Sequence, residues 1–351
     1  AEIMHVIERA LTRQDLAGRR VLVTAGPTQE ALDPVRFLSN HSSGKMGYAV
    51  AARAALRGAE VTLVSGPTAL SAPRDVAFVP VASARDMYDA VLSRADAQDI
   101  IVKAAAVGDY RPAEEHSEKI KKAADDMTLP LTRNPDILAA LGGRKKPGQL
   151  LCGFAMETRD LIQNAQDKLR RKNCDMLVAN SLRDAGAGFQ HDTNAATLLF
   201  ADGSRETAPL MRKEELADLI LDRACYHEMA SLARDLDSAF LQGYVRLAMD
   251  VANLRTAVRV HRMGREGEFL RQALLPGGSV SEQTIAAARG DALGEVFRAG
   301  PLAQAAQLGA RLAQPGAGPL TDFERECDNA LTAYLAAARR VPFGEQAVVG
   351  Y

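Results

Sequence analysis

The sequence predicts an α/β protein with a doubly wound, mainly parallel sheet, followed by an all-α helical segment. Two observations carry this prediction. Before residue 227, short apolar runs bounded by turn residues alternate with helical patterns, and this alternation is typical of a parallel sheet with helices on both faces. After residue 229, strand signals almost disappear, and glycine and proline breaks separate the helical patterns.

The α/β part (1–227) contains six runs of apolar or β-branched residues that predict buried strands. These runs are Val21–Thr24, Val61–Ser65, Ala77–Val81, Ile100–Ala106, Leu150–Ala155 and Met176–Ala179. The helical patterns between them are Met46–Arg57, Ala84–Ala95, Pro135–Leu141 and Arg159–Lys172. Ala195–Phe200 and Arg205–Pro209 flank a glycine-containing turn and predict a hairpin. A helix over Lys213–Cys225 closes this part.

The second part (228–351) differs from the first in both pattern and lysine usage. All ten lysines precede residue 214, whereas the second part has thirteen arginines and no lysine. Its helical patterns are Asp235–His261, Glu266–Leu275, Ser281–Arg289, Pro301–Ala313 and Leu320–Arg340. The sequence therefore predicts two domains of different composition, residues 1–227 and 228–351.

Bulk composition narrows the functional classes. The formal net charge of −1 gives no basic excess for nucleic acid or an anionic membrane. Four widely spaced cysteines without a CxxC pair predict reduced core thiols rather than a zinc site. No run of 18 apolar residues and no signal peptide occur, so we expect a cytoplasmic protein.

The first candidate site follows the first strand. The turn Thr24–Thr28 contains Gly26, and the polar loop Asp33–Gly47 leads into a helix that Ser42 or Ser43 could cap. Helix-start amides can hold an anion, and Arg36 could pair with a phosphate or carboxylate. Neither GxGxxG nor GxxxxGK[ST] is present. From these residues alone, a phosphate site and an ordinary turn with a capped helix are equally good interpretations.

Further polar residues follow other predicted strands. Asp109 lies beyond the small residues at the end of the fourth strand, and the loop after it carries Lys119, Lys121 and Lys122. Each feature also has an ordinary structural interpretation. The lysines could be solvated, Asn134 could cap a helix that begins at Pro135, Phe154 could pack in the core, and Lys168 and Lys172 could lie on an exposed helix face. Because all follow the carboxyl ends of strands, a nucleotide site is favoured.

Seven segments, in this order, resemble the phosphopantothenoylcysteine synthetase family over about Leu16–His227. They are TAGPT (Thr24–Thr28), LDPVRFLSNHSSGKMG (Leu32–Gly47), AAAVGDYRP (Ala104–Pro112), EKIKK (Glu118–Lys122), NPDI (Asn134–Ile137), GFAMET (Gly153–Thr158) and KNCDMLVAN (Lys172–Asn180). The resemblance implies a Rossmann-like fold. It also implies a CTP-dependent phosphopantothenate–cysteine ligase of coenzyme A biosynthesis that forms 4′-phosphopantothenoylcysteine through an acyl-cytidylate.

The resemblance also implies roles for individual residues. Asn40 would act on the acyl-cytidylate, Lys119 would neutralise triphosphate charge, and Arg36 would be a second substrate ligand near Asn40. The residues around CTP would be Ala104, Ala105, Asp109, Lys119, Asn134, Pro135, Asp136, Ile137, Phe154, Lys168 and Lys172. We expect Mg²⁺, whose ligands the motifs do not identify, and a homodimer. We expect no FMN, because only about fifteen residues precede the match, too few for the flavin-dependent half that the family's bacterial members carry.

A second resemblance covers the helical part. YVRLAMDVANLRTAVRVHRMG (Tyr244–Gly264), LLPGG (Leu274–Gly278) and VPFGEQAVVGY (Val341–Tyr351) resemble the C-terminal part of the C-subunit family of V/A-type ATP synthases. This resemblance implies contact with a rotary ATPase through the helical part. It also means that one chain joins parts of two families, either by a natural gene fusion or by artificial joining. The alternative function is then a structural stalk protein with an inert α/β passenger. A third is a module that binds CTP without converting it.

Overall fold

The computed structural model describes residues 2–121, 127–157, 161–181, 188, 190–264 and 267–339. The chain divides into two compact units, Ala1–Ala224 and Cys225–Tyr351. The sequence predicts this boundary between residues 227 and 228, three residues later. The last segment of the second resemblance, Val341–Tyr351, lies outside the described residues.

The strands, in chain order, belong to the first unit. They are β1 (Arg20–Ala25), β2 (Gln29–Ala31), β3 (Phe37–Ser39), β4 (Glu60–Ser65), β5 (Val76–Pro80), β6 (Ile100–Lys103), β7 (Tyr110–Pro112), β8 (Leu131–Arg133), β9 (Leu150–Glu157), β10 (Met176–Ser181), β11 (Thr193–Phe200) and β12 (Arg205–Arg212).

The helices run through both units. They are α1 (Glu2–Leu11), α2 (Lys45–Leu56), α3 (Ala84–Ala95), α4 (Ile137–Arg144), α5 (Leu161–Arg171), α6 (Lys213–Asp235), α7 (Ala239–Arg262), α8 (Glu268–Ala273), α9 (Glu282–Ala287), α10 (Ala292–Val296), α11 (Ala303–Leu312) and α12 (Thr321–Ala338).

Eight strands form one sheet in the order β12-β11-β10-β9-β6-β1-β4-β5. Neighbouring strands from β5 to β10 pair in parallel, whereas β11 and β12 are antiparallel. The predicted doubly wound, mainly parallel sheet is confirmed. From β1 the chain fills one side with β4 and β5, then crosses to β6 on the other side. Open α/β sheets bind ligands at the carboxyl ends of strands where the winding reverses, which here is between β1 and β6.

The core of the first unit explains why the strands read as unbroken apolar runs. Leu22, Ile101, Leu151, Leu177 and Leu199 come from five strands of the sheet and are at most 1% exposed. Residues of α3, α4 and α5 join this core cluster. Burying these side chains is the main favourable contribution to folding of the sheet. The carboxyl edge of the sheet is left for polar side chains.

The second unit contains only helices in its described part, as the sequence predicts. Its core cluster joins Leu254 and Val258 of α7, Ala306 of α11, and Phe323 and Cys327 of α12. Each of these five side chains is fully buried. Helices α7, α11 and α12 thus pack pairwise around one apolar centre. No helix in the described ranges combines the length and apolarity that crossing a bilayer requires.

Several predicted element boundaries were wrong for identifiable reasons. The helix predicted at Lys213–Cys225 continues to Asp235, and the one predicted from Asp235 begins only at Ala239. Asp237 has a positive φ of 47°, and the Ser238 hydroxyl caps α7 by accepting a hydrogen bond from the Leu241 amide at 3.2 Å. The two short antiparallel strand pairs β2–β3 and β7–β8 and helices α1 and α10 were not predicted.

Candidate functional site

The loops after β1 and β6 are joined at the carboxyl edge of the sheet. The Ala106 amide donates to the Gly26 carbonyl at 2.9 Å, and the Thr28 amide donates to the Ala106 carbonyl at 3.2 Å. Gly26 has a φ of 72°, and a Cβ atom there would lie 2.9 Å from the Gly66 carbonyl oxygen. Both the backbone angle and the close approach therefore require glycine. The predicted strand Ile100–Ala106 ends early, at Lys103, where this loop begins.

A first cavity of about 300 Å³ opens between the loop after β6, the start of α2, and the ends of β9 and β10. It is lined by Asn40, Ser42, Ser43, Gly44, Lys45, Met46, Gly47, Lys103, Ala104, Ala105, Ala106, Val107, Asp109, Phe154, Ala155, Met156, Lys168, Asn180, Gly188, Asn194 and Lys213. The lining combines apolar surface with amides, hydroxyls and lysines. This mixture suits a polar, anionic ligand.

A second cavity of about 450 Å³ adjoins the first. It is lined by Lys103, Val107, Gly108, Asp109, Tyr110, Arg133, Asn134, Pro135, Asp136, Ile137, Leu138, Lys168, Arg171 and Lys172. Four residues line both cavities: Lys103, Val107, Asp109 and Lys168. We call these four residues the shared wall. Ligands in the two cavities would meet at this wall, where two lysines can balance negative charge.

Most of the predicted site residues lie in these cavities. Asn40, Ala104, Ala105 and Phe154 line the first, and Asp109 and Lys168 line both. The remaining group, from the start of α4 and the end of α5, lines the second: Asn134, Pro135, Asp136, Ile137 and Lys172. Thus eleven residues from separate parts of the chain come together at one edge of the sheet. Arg36 and Lys119 are absent from the described lining of either cavity.

Arg36 is engaged within its own loop. Its Nε donates to Asp33 Oδ2 at 2.9 Å, and its Nη2 donates to the Ile120 carbonyl at 3.0 Å and forms a further ion pair with Asp33. The hydrogen bond from Arg36, opposed by burial and aided by the Val35 and Ile120 amides, holds the pKa of Asp33 well below its usual range. In this conformation Arg36 positions the loop that carries Lys119.

Lys119 is exposed, one residue before Ile120, whose amide also donates to Asp33 Oδ2 at 3.1 Å. The anchoring of Ile120 fixes the backbone beside Lys119 while leaving its side chain in solvent. Lys122, which the sequence analysis grouped with Lys119, lies outside the described residues. The structure therefore does not bring Lys119 together with the other candidate residues.

Two predicted helix caps were wrong. Helix α2 has Gly44 as its N-cap, with a φ of 78° and no side-chain cap, instead of Ser42 or Ser43. Helix α4 begins at Ile137, with Asp136 as its N-cap accepting a hydrogen bond from the Ala139 amide at 2.9 Å. Ser42 and Ser43 line the first cavity in front of α2, where the amides that begin a helix favour anions.

Asn134, which was expected to cap α4, instead holds the loop after β6. Its Nδ2 donates to the Gly108 carbonyl at 2.9 Å, and its Oδ1 accepts from Arg111 Nη1 at 3.0 Å. Asp136 pairs with Lys172 through Oδ2. Burial raises the pKa of Asp136, but this ion pair and the Ala139 amide outweigh it, so the pKa lies below its usual value.

Lys103 is a cavity residue that the sequence analysis did not select. Its Nζ donates to the Ala105 carbonyl at 3.0 Å, and it lines both cavities. Burial, followed by repulsion from Lys168, lowers the pKa of Lys103 to about 8 despite the opposing attraction of Asp136 and Asp109. Its place at the carboxyl end of β6 was the signal that could have identified it.

Asn180, Asn194 and Lys213 also line the first cavity and were not predicted as site residues. Asn180 ends the KNCDMLVAN segment, but Asn194 and Lys213 come from the antiparallel hairpin and its following helix. No local motif marks these two positions. Only the sheet topology, which returns β12 to the edge where β10 ends, places them at the cavity.

Two protein families match the chain over overlapping ranges. The family described as DNA/pantothenate metabolism flavoprotein C-terminal domain matches residues 16–226. The family described as ATP synthase (C/AC39) subunit matches residues 156–351. The second match thus begins within the first unit, at the end of β9, and overlaps the first match.

The curated relatives match the first unit. The coenzyme A biosynthesis bifunctional protein CoaBC of Bacillus subtilis (strain 168) is 48% identical over 224 residues, covering 64% of this chain and 54% of the relative. The CoaBC protein of Escherichia coli (strain K12) is 47% identical over 211 residues, covering 59% of this chain and 52% of the relative. The chain therefore spans about half the length of these relatives.

A crystal structure of the C-terminal domain of a coenzyme A biosynthesis bifunctional protein CoaBC is also similar. It is 47% identical in sequence and superposes with a TM-score of 0.51, covering 59% of this chain and 94% of that chain. The similarity therefore includes almost the whole of that domain.

Proposed function

Because the chain belongs to the DNA/pantothenate metabolism flavoprotein C-terminal domain family over residues 16–226 and to the ATP synthase (C/AC39) subunit family over residues 156–351, we propose that its first unit is a phosphopantothenate–cysteine ligase of coenzyme A biosynthesis. The observation that supports this most directly is the pair of adjoining cavities with their shared wall. A ligase that activates a carboxylate with a nucleotide needs two such sites in contact.

In this proposal CTP occupies the second cavity and would reach Ala104, Ala105 and Phe154 of the first across the shared wall. Asn134 and the free amides at the start of α4 offer donors and acceptors for the base or phosphates, and Arg171 and Lys172 add positive charge. Phosphopantothenate occupies the first cavity. Its phosphate would face Ser42, Ser43 and the amides that begin α2, whose N-terminus favours anions. The carboxylate would then reach the shared wall.

The first step joins the two ligands at this wall. A carboxylate oxygen of phosphopantothenate attacks the α-phosphorus of CTP, the bond to the β-phosphate oxygen breaks, and pyrophosphate leaves with the electron pair. The products are an acyl-cytidylate and pyrophosphate. Lys103 and Lys168 would offset the charge that accumulates on the phosphate oxygens, an effect that is strong where water is excluded.

The second step forms the amide. The neutral amine of cysteine attacks the acyl carbon, the bond from that carbon to the cytidylate oxygen breaks, CMP leaves, and one proton is released to water. Asn40 would donate from Nδ2 to the developing oxyanion; in the structure Nδ2 donates to the Ala106 carbonyl at 3.1 Å. We expect Asn40→Ala to form acyl-cytidylate and to convert it slowly.

Mg²⁺ fits the second cavity through carboxylate chemistry. Magnesium sites for nucleotides commonly use one or two protein carboxylates together with phosphate oxygens. Asp109 and Asp136 line this cavity, whereas no cluster of three metal-ligating side chains occurs in the described ranges. Asp109 would be the main protein ligand, because Asp136 already pairs with Lys172. When bound, Mg²⁺ would spread the negative charge of the triphosphate.

Lys119 is proposed to reach the triphosphate by rotation of its long side chain, which is in solvent in this structure, from a backbone that Ile120 holds in place. Lys119→Ala should then slow pyrophosphate release by on the order of 10²–10³, the usual cost of one preorganised donor. An unchanged rate of cytidylate formation would remove Lys119 from this role.

The experiment that tests the proposed function is pyrophosphate release by the full chain with Mg²⁺, CTP and 4′-phosphopantothenate, without and with cysteine. We expect pyrophosphate release that depends on phosphopantothenate. When cysteine is added, we expect CMP and phosphopantothenoylcysteine to form in equal amounts. Lys168→Met should abolish most of the release. Lys146→Met is the matched control, because Lys146 is exposed and lines neither cavity. Absence of release from the unmodified chain would reject the ligase.

A second candidate function concerns the helical unit alone. The ATP synthase (C/AC39) subunit match and the separate core of α7, α11 and α12 favour a structural role in a rotary ATPase. Affinity purification of the full chain from membranes should then recover rotor-ring proteins. Recovery of none would count against this role.

A further inference from the structure

The first cavity has a polar end that the proposed steps leave unassigned. It is formed by Asn180, Asn194 and Lys213, which we call the amide–lysine subsite. Asn180 lies near the end of β10, Asn194 lies at the start of antiparallel β11, and Lys213 directly follows β12. Because β11 begins and β12 ends beside the end of β10, the hairpin brings all three residues to one edge.

The two asparagines are buried with an unpaired acceptor. Asn180 is 5% exposed and Asn194 is 2% exposed. Within the part of the chain that is described, neither Oδ1 atom has a hydrogen-bond partner. An unsatisfied buried polar atom costs about 1–3 kcal/mol, so each one in a folded protein calls for a physical explanation. Because both side chains line the cavity, a ligand with N–H donors would satisfy them.

Lys213 supplies a buried positive charge beside these acceptors. It is 5% exposed, and its Nζ donates to the Gly188 carbonyl at 2.9 Å and to the His191 carbonyl. Both acceptors are neutral. Burial, followed by repulsion from Lys45, lowers the pKa of Lys213 to about 8. Lys45 itself pairs with Asp192 at 2.7 Å. An anion at Lys213 would therefore be favoured.

These groups complement an α-amino acid better than a phosphate. A phosphate dianion offers only acceptors, so its oxygens would face the unpaired Oδ1 atoms unfavourably. An α-amino acid offers N–H donors for the two amides and a carboxylate for Lys213. The start of α2, by contrast, offers backbone N–H donors and serine hydroxyls that can donate, and it suits the phosphate.

We propose that Asn180, Asn194 and Lys213 bind the amino-acid co-substrate, with its amino group on the two amide oxygens and its carboxylate on Lys213. This inference rests on the proposed function, since it names the place of cysteine in the second step. Two amide oxygens that accept N–H bonds direct the nitrogen lone pair away from themselves and into the cavity. The subsite thus orients the amine towards the acyl carbon.

The test uses the full chain with saturating Mg²⁺, CTP and phosphopantothenate, and varies cysteine. Asn194→Ala and Lys213→Gln should each raise the KM for cysteine about tenfold or more, the effect of losing one buried hydrogen bond or charge contact. The KM for phosphopantothenate should change much less. Asn194→Asp keeps an acceptor oxygen and should stay within about threefold of the unmodified chain. Gln163→Ala, at an exposed amide outside both cavities, is the control.

Pyrophosphate release without cysteine separates the two proposals, because it requires no amino acid. If the unmodified chain releases pyrophosphate but the variants keep its KM for cysteine, the subsite is rejected and the ligase stands. A larger change in the KM for phosphopantothenate than for cysteine also rejects it. If one of the two variants, Asn194→Ala or Lys213→Gln, is damaged and releases no pyrophosphate, the KM for cysteine of the other variant decides the outcome.

If the unmodified chain releases no pyrophosphate, the ligase is rejected, and direct titration with L-cysteine decides the fate of the subsite. Binding that Asn194→Ala weakens tenfold supports the subsite. Absence of binding to the unmodified chain overturns it.

Discussion

Arg36 and Asp33 form an ion pair three residues apart that also holds a distant loop. Arg36 Nη2 binds the Ile120 carbonyl, and Asp33 Oδ2 accepts from the Ile120 amide, so both polar backbone atoms of one residue are fixed by the same pair. Asp33 is 3% exposed. Although Arg36 was expected to bind substrate, its described contacts fix the backbone beside Lys119.

Asp33→Asn should loosen this loop. The carboxamide loses the charge and one acceptor, so the Ile120 amide should exchange with deuterium about tenfold faster or more. Because the folded pKa of Asp33 is depressed, the protection should persist as pH falls to the usual Asp value and disappear only below it. Asp89→Asn, which removes an exposed contact with Arg85 at 3.8 Å, should leave this exchange unchanged.

Lys103 should make nucleotide binding depend on pH. Its pKa of about 8 means that it is charged below that pH and neutral above it. Binding of Mg·CTP should therefore weaken between about pH 7 and about pH 9, and Lys103→Met should remove this inflection. Calorimetric titration of the full chain at several pH values measures it. An unaltered pH profile in Lys103→Met, with Lys146→Met as control, would contradict the assignment.

The lowered pKa of Lys103 should also make folding stability depend on pH. Stability should increase as pH rises, whereas nucleotide binding should weaken. Since the folded pKa of Lys103 lies below the usual lysine value, the charged form costs stability below about pH 8. That cost should fade as pH rises towards the usual value. The difference in unfolding free energy between the unmodified chain and Lys103→Met should shrink over this range.

Two neighbouring glycines of α4 should respond oppositely to alanine. A Cβ atom at Gly142 would lie 1.9 Å from the Lys172 carbonyl oxygen, whereas one at Gly143 would have no neighbour within 4 Å. Gly142→Ala should destabilise the first unit by about 1–3 kcal/mol through overpacking. Gly143→Ala should stabilise it by about 0.5–1 kcal/mol through helix propensity. The free energy of unfolding of the two variants is compared by urea denaturation, with amide hydrogen exchange in α4 and α5 as the local probe of the first unit.

In the second unit, Asp250 should control the loop that follows α8. Its carboxylate accepts from the Ser279 amide at 2.9 Å and from the Ser279 hydroxyl, and Asn253 binds both polar backbone atoms of Leu275. Asp250→Ala should speed amide exchange at Ser279 about tenfold or more. Asp291→Ala, at an exposed position of the same unit, should have no effect there.

Burial raises the pKa of Asp250 despite the hydrogen bonds that oppose it. The buried charge therefore costs stability at neutral pH, and this cost is relieved as pH falls through the folded pKa. The second unit should become more stable relative to its Asp250→Asn variant over that range. A constant difference in stability across pH would contradict the assignment.

Strands with continuous apolar runs were predictable because burial on both faces leaves a direct pattern in the sequence. Met176–Ala179 and Val61–Ser65 both lie within observed strands. Short hairpins such as β2–β3 were missed because three-residue strands carry almost no periodicity. The cap of α4 was wrong because Asn134 and Asp136 are both good capping residues, and the contact of Asn134 with Gly108 decides between them.

The candidate site was predictable where its residues follow parallel strands. Lys168, Phe154 and Asp109 meet because the carboxyl ends of such strands share one edge. Asn194 and Lys213 could not be found in this way, since they belong to an antiparallel hairpin whose return to that edge depends on strand pairing far along the chain. Their contribution arises from topology rather than from any local motif.

The shared wall also has a pharmacological consequence. Because Lys103, Val107, Asp109 and Lys168 border both cavities, a single small molecule with two linked halves could occupy both. Its second half would bind at the high effective concentration that a short linker provides. A substitution that weakens one half would then leave the other half anchored, so such a bridging inhibitor should lose potency slowly as single mutations arise.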